Sequence, residues 1–270
     1  MTILNNRTLM RATILFVLSS FLALQILHSK AADVSVYALY KRKVFVQLSD
    51  SPPVLRCCPY MFDAVVELSD SNSVSSATLG HNANQAISLS AGYIEEFLPS
   101  RPITWISEGF PDQAALDAKW PGGDYSFSIF AANDGVQTAI LPLTGNHYPT
   151  NPPHILNFNE TQQVDANQDF ILRWKGLENG TTNDFTFVLI KRARDGVPVS
   201  NTPFLAESNA LDGTVSAILV PAGTLAPGEQ YDVYVRFDRV LRRDAASYRG
   251  AVGQASYGSG THFTLKTVGS

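Results

Sequence analysis

The sequence predicts an all-β protein of two tandem β-sandwich domains, with one short helix in the first. Three observations carry this expectation. Apolar and polar residues alternate with period two in many short segments, the pattern of half-buried strands. Gly-containing turn dipeptides separate those segments. A single cluster of prolines, Pro149, Pro152 and Pro153, divides the chain near its middle.

Residues 1–31 read as a secretory signal peptide. Arg7 and Arg11 precede an apolar run over residues 14–27, broken only by Ser19, Ser20 and Gln25. Ser29 and Ala31 then give the small-residue spacing of a cleavage site after Ala31. The run is shorter than the ~20 residues a membrane span needs. The expectation is a secreted or periplasmic protein with no stable membrane insertion after cleavage; the alternative is a retained signal anchor. Removal of the segment takes three of the 20 basic residues and no acid. That leaves 17 basic against 24 acidic residues, a net charge of −7.

Composition excludes several classes. The chain is 45% apolar and 16% charged, too apolar for a disordered protein. It has 2 cysteines, too few for a disulfide-dense scaffold or a Cys-based zinc domain. An acidic balance without a lysine-rich run argues against nucleic-acid binding.

The proline cluster sets the boundaries: an N-terminal sandwich over 32–148, a stiff linker over 149–153, and a second sandwich over 154–270. Before the linker, alternation marks residues 34–48, 64–68 and 125–129. After it, alternation marks 170–174, 185–189 and 231–237. Asp134-Gly135, Asn179-Gly180, Asp195-Gly196, Asp212-Gly213 and Pro227-Gly228 supply the turns. Residues 111–119 instead open on a proline, carry an acid early and continue in helix formers. They predict a short helix covering an open end of the first sandwich.

The second half carries a family pattern. Pro152-Pro153 opens it, and Trp174 ends the run Phe170-Ile171-Leu172-Arg173-Trp174. Then comes Leu225-Ala226-Pro227-Gly228-Glu229-Gln230-Tyr231-Asp232-Val233-Tyr234-Val235, and the closing run starts at Thr261-His262-Phe263. Residues 152–267 resemble a fibronectin type III domain, an immunoglobulin-like sandwich. The resemblance implies structural roles for Trp174 and Tyr231, with the Tyr231 hydroxyl bonding the backbone upstream as a tyrosine corner. It also implies a spacer or binding scaffold. Two stretches depart from the pattern, 197–214 and 238–260, both long. Within the second, Ser259 lies between Gly258 and Gly260 and reads as a mobile loop.

No nucleophile elbow, phosphate loop or dinucleotide fingerprint occurs. Glu95-Glu96 and Asp112/Asp117 are the carboxylates to consider for glycoside hydrolysis, with no sign that any pair converges. His81, His147, His154 and His262 show no metal-ligand spacing, so no metal and no cofactor is expected. Residues 165–169 read as a turn rather than a calcium loop. Cys57-Cys58 leaves three readings: a vicinal disulfide, two reduced thiols, or bonds to another chain.

Two binding surfaces are candidates. Trp105, Trp120, Tyr125 and Tyr148 would supply stacking rings for a carbohydrate, if they are not core residues. Lys191, Arg192, Arg194, Arg236, Arg239, Arg242, Arg243 and Arg249 follow two strands that neighbour each other in a fibronectin-like sandwich, and would form a basic edge. The expected function is non-catalytic: cell-surface or extracellular interaction with a protein or polysaccharide. A carbohydrate-binding module is the alternative and a hydrolase the weaker rival.

Overall fold

The computed structural model describes residues 32–81, 86–92, 102–203 and 207–269. The export segment and Glu95-Glu96 lie outside them. The first half contains β1 (Val34–Val46), β2 (Val54–Leu68), β3 (Val74–His81), β4 (Ile87–Ser88), β5 (Ser90–Gly92) and β6 (Ile103–Phe110). Helix α1 (Gln113–Lys119), β7 (Gly123–Ala131) and β8 (Gly135–Leu143) follow. The second half contains β9 (His154–Ile155), β10 (Phe170–Lys175), β11 (Phe185–Arg192), β12 (Pro198–Asn201), β13 (Leu211–Asp212) and β14 (Ala217–Val220). It ends in two strands of 15 residues each, β15 (Gln230–Asp244) and β16 (Val252–Lys266).

The protein is all-β and built of packed sheets. Its frame is a nine-stranded sheet in the order β12-β11-β15-β16-β1-β2-β6-β5, with β13 also pairing β11. A four-stranded sheet, β4-β3-β7-β8, and a three-stranded sheet, β14-β10-β9, complete the fold. The long sheet takes strands from both sides of the proline cluster, and residues 32–270 form one compact unit.

The join is β16 on β1. These two strands run parallel from Val36↔Val252 to Val46↔His262, whereas every neighbouring pair is antiparallel. The long 238–260 stretch is the cause. β15 and β16 stay paired from Gln230↔Lys266 to Asp244↔Gly253, so the hairpin extends out of the second half and builds into the first. The expectation of a mobile loop at Ser259 is corrected here: Ser259 lies in β16 and is buried.

Pairing register fixes which residues share a face. On one face of the long sheet, Tyr37, Leu39, Phe62, Ala64, Ala255 and Tyr257 pack against Leu79, Tyr125, Phe127, Ile129 and Leu141 of the four-stranded sheet. Farther along the same face, Val188, Ile190, Val233, Val235, Phe263 and Leu265 pack against Ile155, Leu172, Trp174 and Val220 of the three-stranded sheet. Val36, Ala38, Tyr40, Val65, Phe187, Leu189 and Tyr234 form a third cluster, on the opposite face.

Local chemistry accounts for the small elements. Asp112 stands in extended backbone at the N-cap of α1, and its Oδ1 accepts the Ala115 N–H at 2.8 Å. Leu116 of the helix and Trp120 after it enter the first core. Tyr231 is buried in the second core, and its hydroxyl accepts the Ala226 N–H at 2.7 Å, five residues upstream. Trp174 belongs to the same core, its Nε1 donating to the Val215 carbonyl at 3.2 Å. The proline cluster is fastened as well: Asn151 is buried, donates to Gly176 O and accepts from Glu178 N.

Candidate functional site

The four aromatic residues considered for sugar stacking do not make a platform. Trp120 stacks on Phe62, centroids 4.1 Å apart and planes 7° apart, and its Nε1 donates to Glu108. Tyr125 lies between Phe62 and His81, with its hydroxyl on the Pro121 carbonyl. Tyr148 packs edge-on against Tyr60 and Tyr257. Burial raises the phenol pKa of both tyrosines well above the usual value. Trp105, half-buried, packs against the cluster on the opposite face of the long sheet. Burial of Trp120, Tyr125 and Tyr148 leaves those three rings no free face for a sugar.

The basic residues separate in the same way. Lys191 is buried. Arg192 pairs with Asp195 at 2.9 Å and Arg194 with Glu229 at 2.7 Å. Arg239 binds Asp184 at 2.8 Å and the carbonyls of Glu178 and Asn179. Arg236 is fully buried, on the same face of β15 as Tyr234 and opposite to Val233 and Val235. Arg242 and Arg243, near the end of β15, and Arg249 beyond it remain exposed, and Arg243 reaches only the Asn183 carbonyl. Compensation by nearby acids leaves no continuous basic edge.

The sequence reading missed a buried charge quartet. Arg42 Nε meets Asp63 Oδ2 at 2.6 Å, and Arg236 Nε meets Asp238 Oδ2 at 2.9 Å, with all four side chains 0% exposed. Arg42 also donates to the Tyr234 hydroxyl at 3.0 Å, and Ser107 donates to Asp63 at 2.6 Å. The Arg236 guanidinium lies over the Tyr40 and Phe187 rings, 5.1 and 5.5 Å from their centroids. Burial raises the Asp238 pKa, and the arginines oppose that shift. Gly258 and Gly260 of β16 make the room. A Cβ at Gly258 would lie 2.7 Å from Asp238 Oδ1, and one at Gly260 would lie 2.2 Å from the Tyr234 hydroxyl. The quartet is net neutral and closed to solvent. It can hold strands in register, but no substrate reaches it.

The carboxylates considered for hydrolysis have other tasks. Asp112 caps α1, and Asp117 binds Lys41 at 2.5 Å. Among the described residues no three His, Cys, Asp or Glu side chains converge as metal ligands. His81 stacks on Tyr125 and His262 on Tyr234, while His154 sits on the Asp50 carbonyl and His147 beside Tyr257. Cys57 and Cys58 are free and exposed, their sulfurs 3.8 Å apart.

What the surface offers is the outer face of β3, β7 and β8. By register its residues are Ser76, Thr78, Ser126, Ser128, Phe130, Val136, Thr138 and Ile140. Phe130 and Val136 are cross-strand partners, 43% and 62% exposed, and Ile140 is 57% exposed. Hydroxyl groups fill the remaining positions, and Asp124, opposite Pro142, is the charge at its end. β8 is the last strand of its sheet, so its outer edge pairs with no described strand. Sequence reading missed this face because its outward residues are apolar too. Val136, Ala139, Ile140 and Leu141 do not alternate cleanly.

No family model matches the chain, and no curated protein does. Among solved structures, the BSP domain of a biofilm-associated protein aligns over 87% of this chain and 30% of its own, at 11% identity and TM-score 0.24. The FN1–FN3 domains of chicken CNTN1 align over 76% of this chain and 62% of theirs, at 11% identity and TM-score 0.23. Murine CEACAM1b aligns over 86% of this chain and all of its own, at 11% identity and TM-score 0.21. The chain therefore spans less than two thirds of the first two. Similarity at this level assigns no role to any residue here.

Proposed function

We propose that this is a secreted or periplasmic, non-catalytic interaction protein, and that its contact surface is the outer face and free edge of β7–β8. Residues 1–31 act as the export segment in this reading. One observation carries it: Val136 and Ile140 are exposed on the terminal strand β8, with Phe130 of β7 exposed opposite Val136, in a face of hydroxyls with hardly a charge. Scattered apolar residues are normal on a protein surface, but exposed apolar side chains along an unpaired, uncharged sheet edge favour association. From Gly135 to Leu141 every residue of β8 carries a backbone N–H. Pro142, which has none, stands near the far end of the strand.

The face is self-complementary. Two copies related by a two-fold axis set β8 against β8 antiparallel and bring no like charges together at the strand. The occupant is therefore a second copy of this chain. Sedimentation equilibrium over a wide concentration range tests it. The wild type should associate, and Val136→Lys/Ile140→Lys should remain monomeric with unchanged thermal stability, since both positions are solvent-facing. A wild type that stays monomeric throughout overturns the reading.

A further inference from the structure

We propose that Cys57, Cys58 and Met61 form a surface site for a soft monovalent metal ion, copper(I). The backbone gathers the sulfurs. Successive side chains of a regular strand point to opposite faces, which keeps adjacent cysteines apart. Cys58 instead has φ +50°, the left-handed region that a non-glycine residue rarely occupies. That residue breaks the alternation and turns both thiols to one side, with Sγ–Sγ at 3.8 Å and both residues exposed.

The separation is the bite of one ion. Two sulfurs each ~2.3 Å from a metal stand about 3.8 Å apart at a tetrahedral angle and about 4.0 Å at a trigonal one. Met61 supplies a third sulfur from the same strand. It pairs with Gly109 of β6, and that glycine leaves a gap beside both residues. A Cβ at Gly109 would lie 3.2 Å from Met61 Sδ and 3.8 Å from Cys58 Cβ, so these two atoms are no more than about 7 Å apart. Methionine has three side-chain torsions to close that distance.

The donor set selects the ion. Zinc sites are completed by further Cys, His or carboxylate ligands, and none converges here among the described residues. Two thiolates and a thioether are soft donors, which favour copper(I). Binding forms two copper–thiolate bonds and releases two thiol protons to water. The metal stays monovalent, so the step needs no oxidant. Arg56, next in sequence, offsets the negative charge of the thiolate pair.

The test is competition for copper(I) between the full, reduced chain and a chromophoric copper(I) chelator under anaerobic conditions. One equivalent per chain should leave the chelator. Cys57→Ser and Cys58→Ser should each abolish that transfer, and both sites are exposed, so circular dichroism should be unchanged. Met61→Leu should weaken binding by at least about tenfold. X-ray absorption should show an all-sulfur shell. Failure of the reduced wild type to withdraw copper, equally tight zinc binding, or an unaltered affinity in Met61→Leu would each overturn the site. β8 is not involved, so this outcome is independent of the self-association test.

Discussion

Truncating Asp238 isolates the energetics of the buried quartet. Arg236 and Asp238 are two apart on β15 and so share a face, with Nε–Oδ2 at 2.9 Å and both side chains inaccessible. In Asp238→Ala the guanidinium keeps its place over the Tyr40 and Phe187 rings but loses its carboxylate. Breaking a buried pair from one side costs ~3–5 kcal/mol, because an uncompensated charge stays behind. For a folded unit of this size each kcal/mol lowers Tm by about 2–4 °C, so the variant should melt roughly 6–20 °C below wild type. Arg236→Met should cost a similar amount for the mirror reason. The double variant Arg236→Met/Asp238→Ala leaves no charge stranded and should recover most of the loss. Urea titrations of the four proteins give the coupling energy directly. Arg194→Ala supplies a surface control. Its pair with Glu229 is 2.7 Å long but its side chain is 60% exposed, so its loss should cost under about 1 kcal/mol. A cost for Asp238→Ala below about 1 kcal/mol, or a coupling near zero, would refute the argument.

Three further outcomes are expected. Burial tends to raise the Asp244 pKa, but hydrogen bonds from Ser247, the Ala246 N–H and Tyr37 outweigh that and hold it at about 2. A depressed carboxylate pKa contributes stability that is present above the unfolded value and lost as pH falls through the folded one. Asp244 should therefore contribute on the order of 2 kcal/mol at neutral pH, lost between about pH 4 and 2. Asp244→Asn should flatten that limb of a stability–pH profile. Tyr231→Phe removes the acceptor of the Ala226 N–H and should cost about 1 kcal/mol in urea unfolding with the fold retained. Gly260→Ala places a methyl against the buried Tyr234 ring and should cost about 1–3 kcal/mol, read as a fall in Tm.

The sequence makes the fold class legible wherever one face of a strand is wet. Residues 125–129 and 170–174 alternate because only one side of each faces a core, and both lie in observed strands. The cap at Asp112 and the turn before Tyr231 are legible for a similar reason, since their chemistry is local. Legibility fails where both faces are covered. β16 between residues 253 and 261 is buried throughout, so no polar period exists to read, and its glycines imitate a loop. Their purpose depends on Arg42, Asp238 and Tyr234, far away in sequence. β2 hides behind Cys57, Cys58 and Pro59, which break its period. The surroundings of the aromatic and basic candidates are illegible for a related reason. Residue type shows what a side chain can bind, but the packing that covers Trp120 or pairs Arg239 belongs to the tertiary structure.

Register explains why charges are kept inside an otherwise apolar frame. A one-residue slip of β15 or β1 would move every side chain of that strand to the opposite face. Arg236 and Asp238, or Arg42, would then enter the apolar cores built around Phe127 and Trp174, each as a charge without its partner. Apolar residues alone could not forbid such a slip of β1, because its alternate positions are apolar on both faces. The parallel pairing of β1 with β16 is exposed to the same error, having no turn to fix its alignment. The glycine gaps at 258 and 260 fit Arg42, Asp238 and Tyr234 in one alignment only. Buried ion pairs add little net stability against apolar replacements of the same shape. Their contribution here is the energy gap to the misaligned sheets, and it falls on the two strands that hold both halves of the chain in one frame. The Arg236→Met/Asp238→Ala variant separates the two effects. It should keep near-native stability in urea while its native-state amide exchange in β15 and β16 becomes faster than in wild type. Unchanged protection across both strands would show that apolar packing alone sets the register.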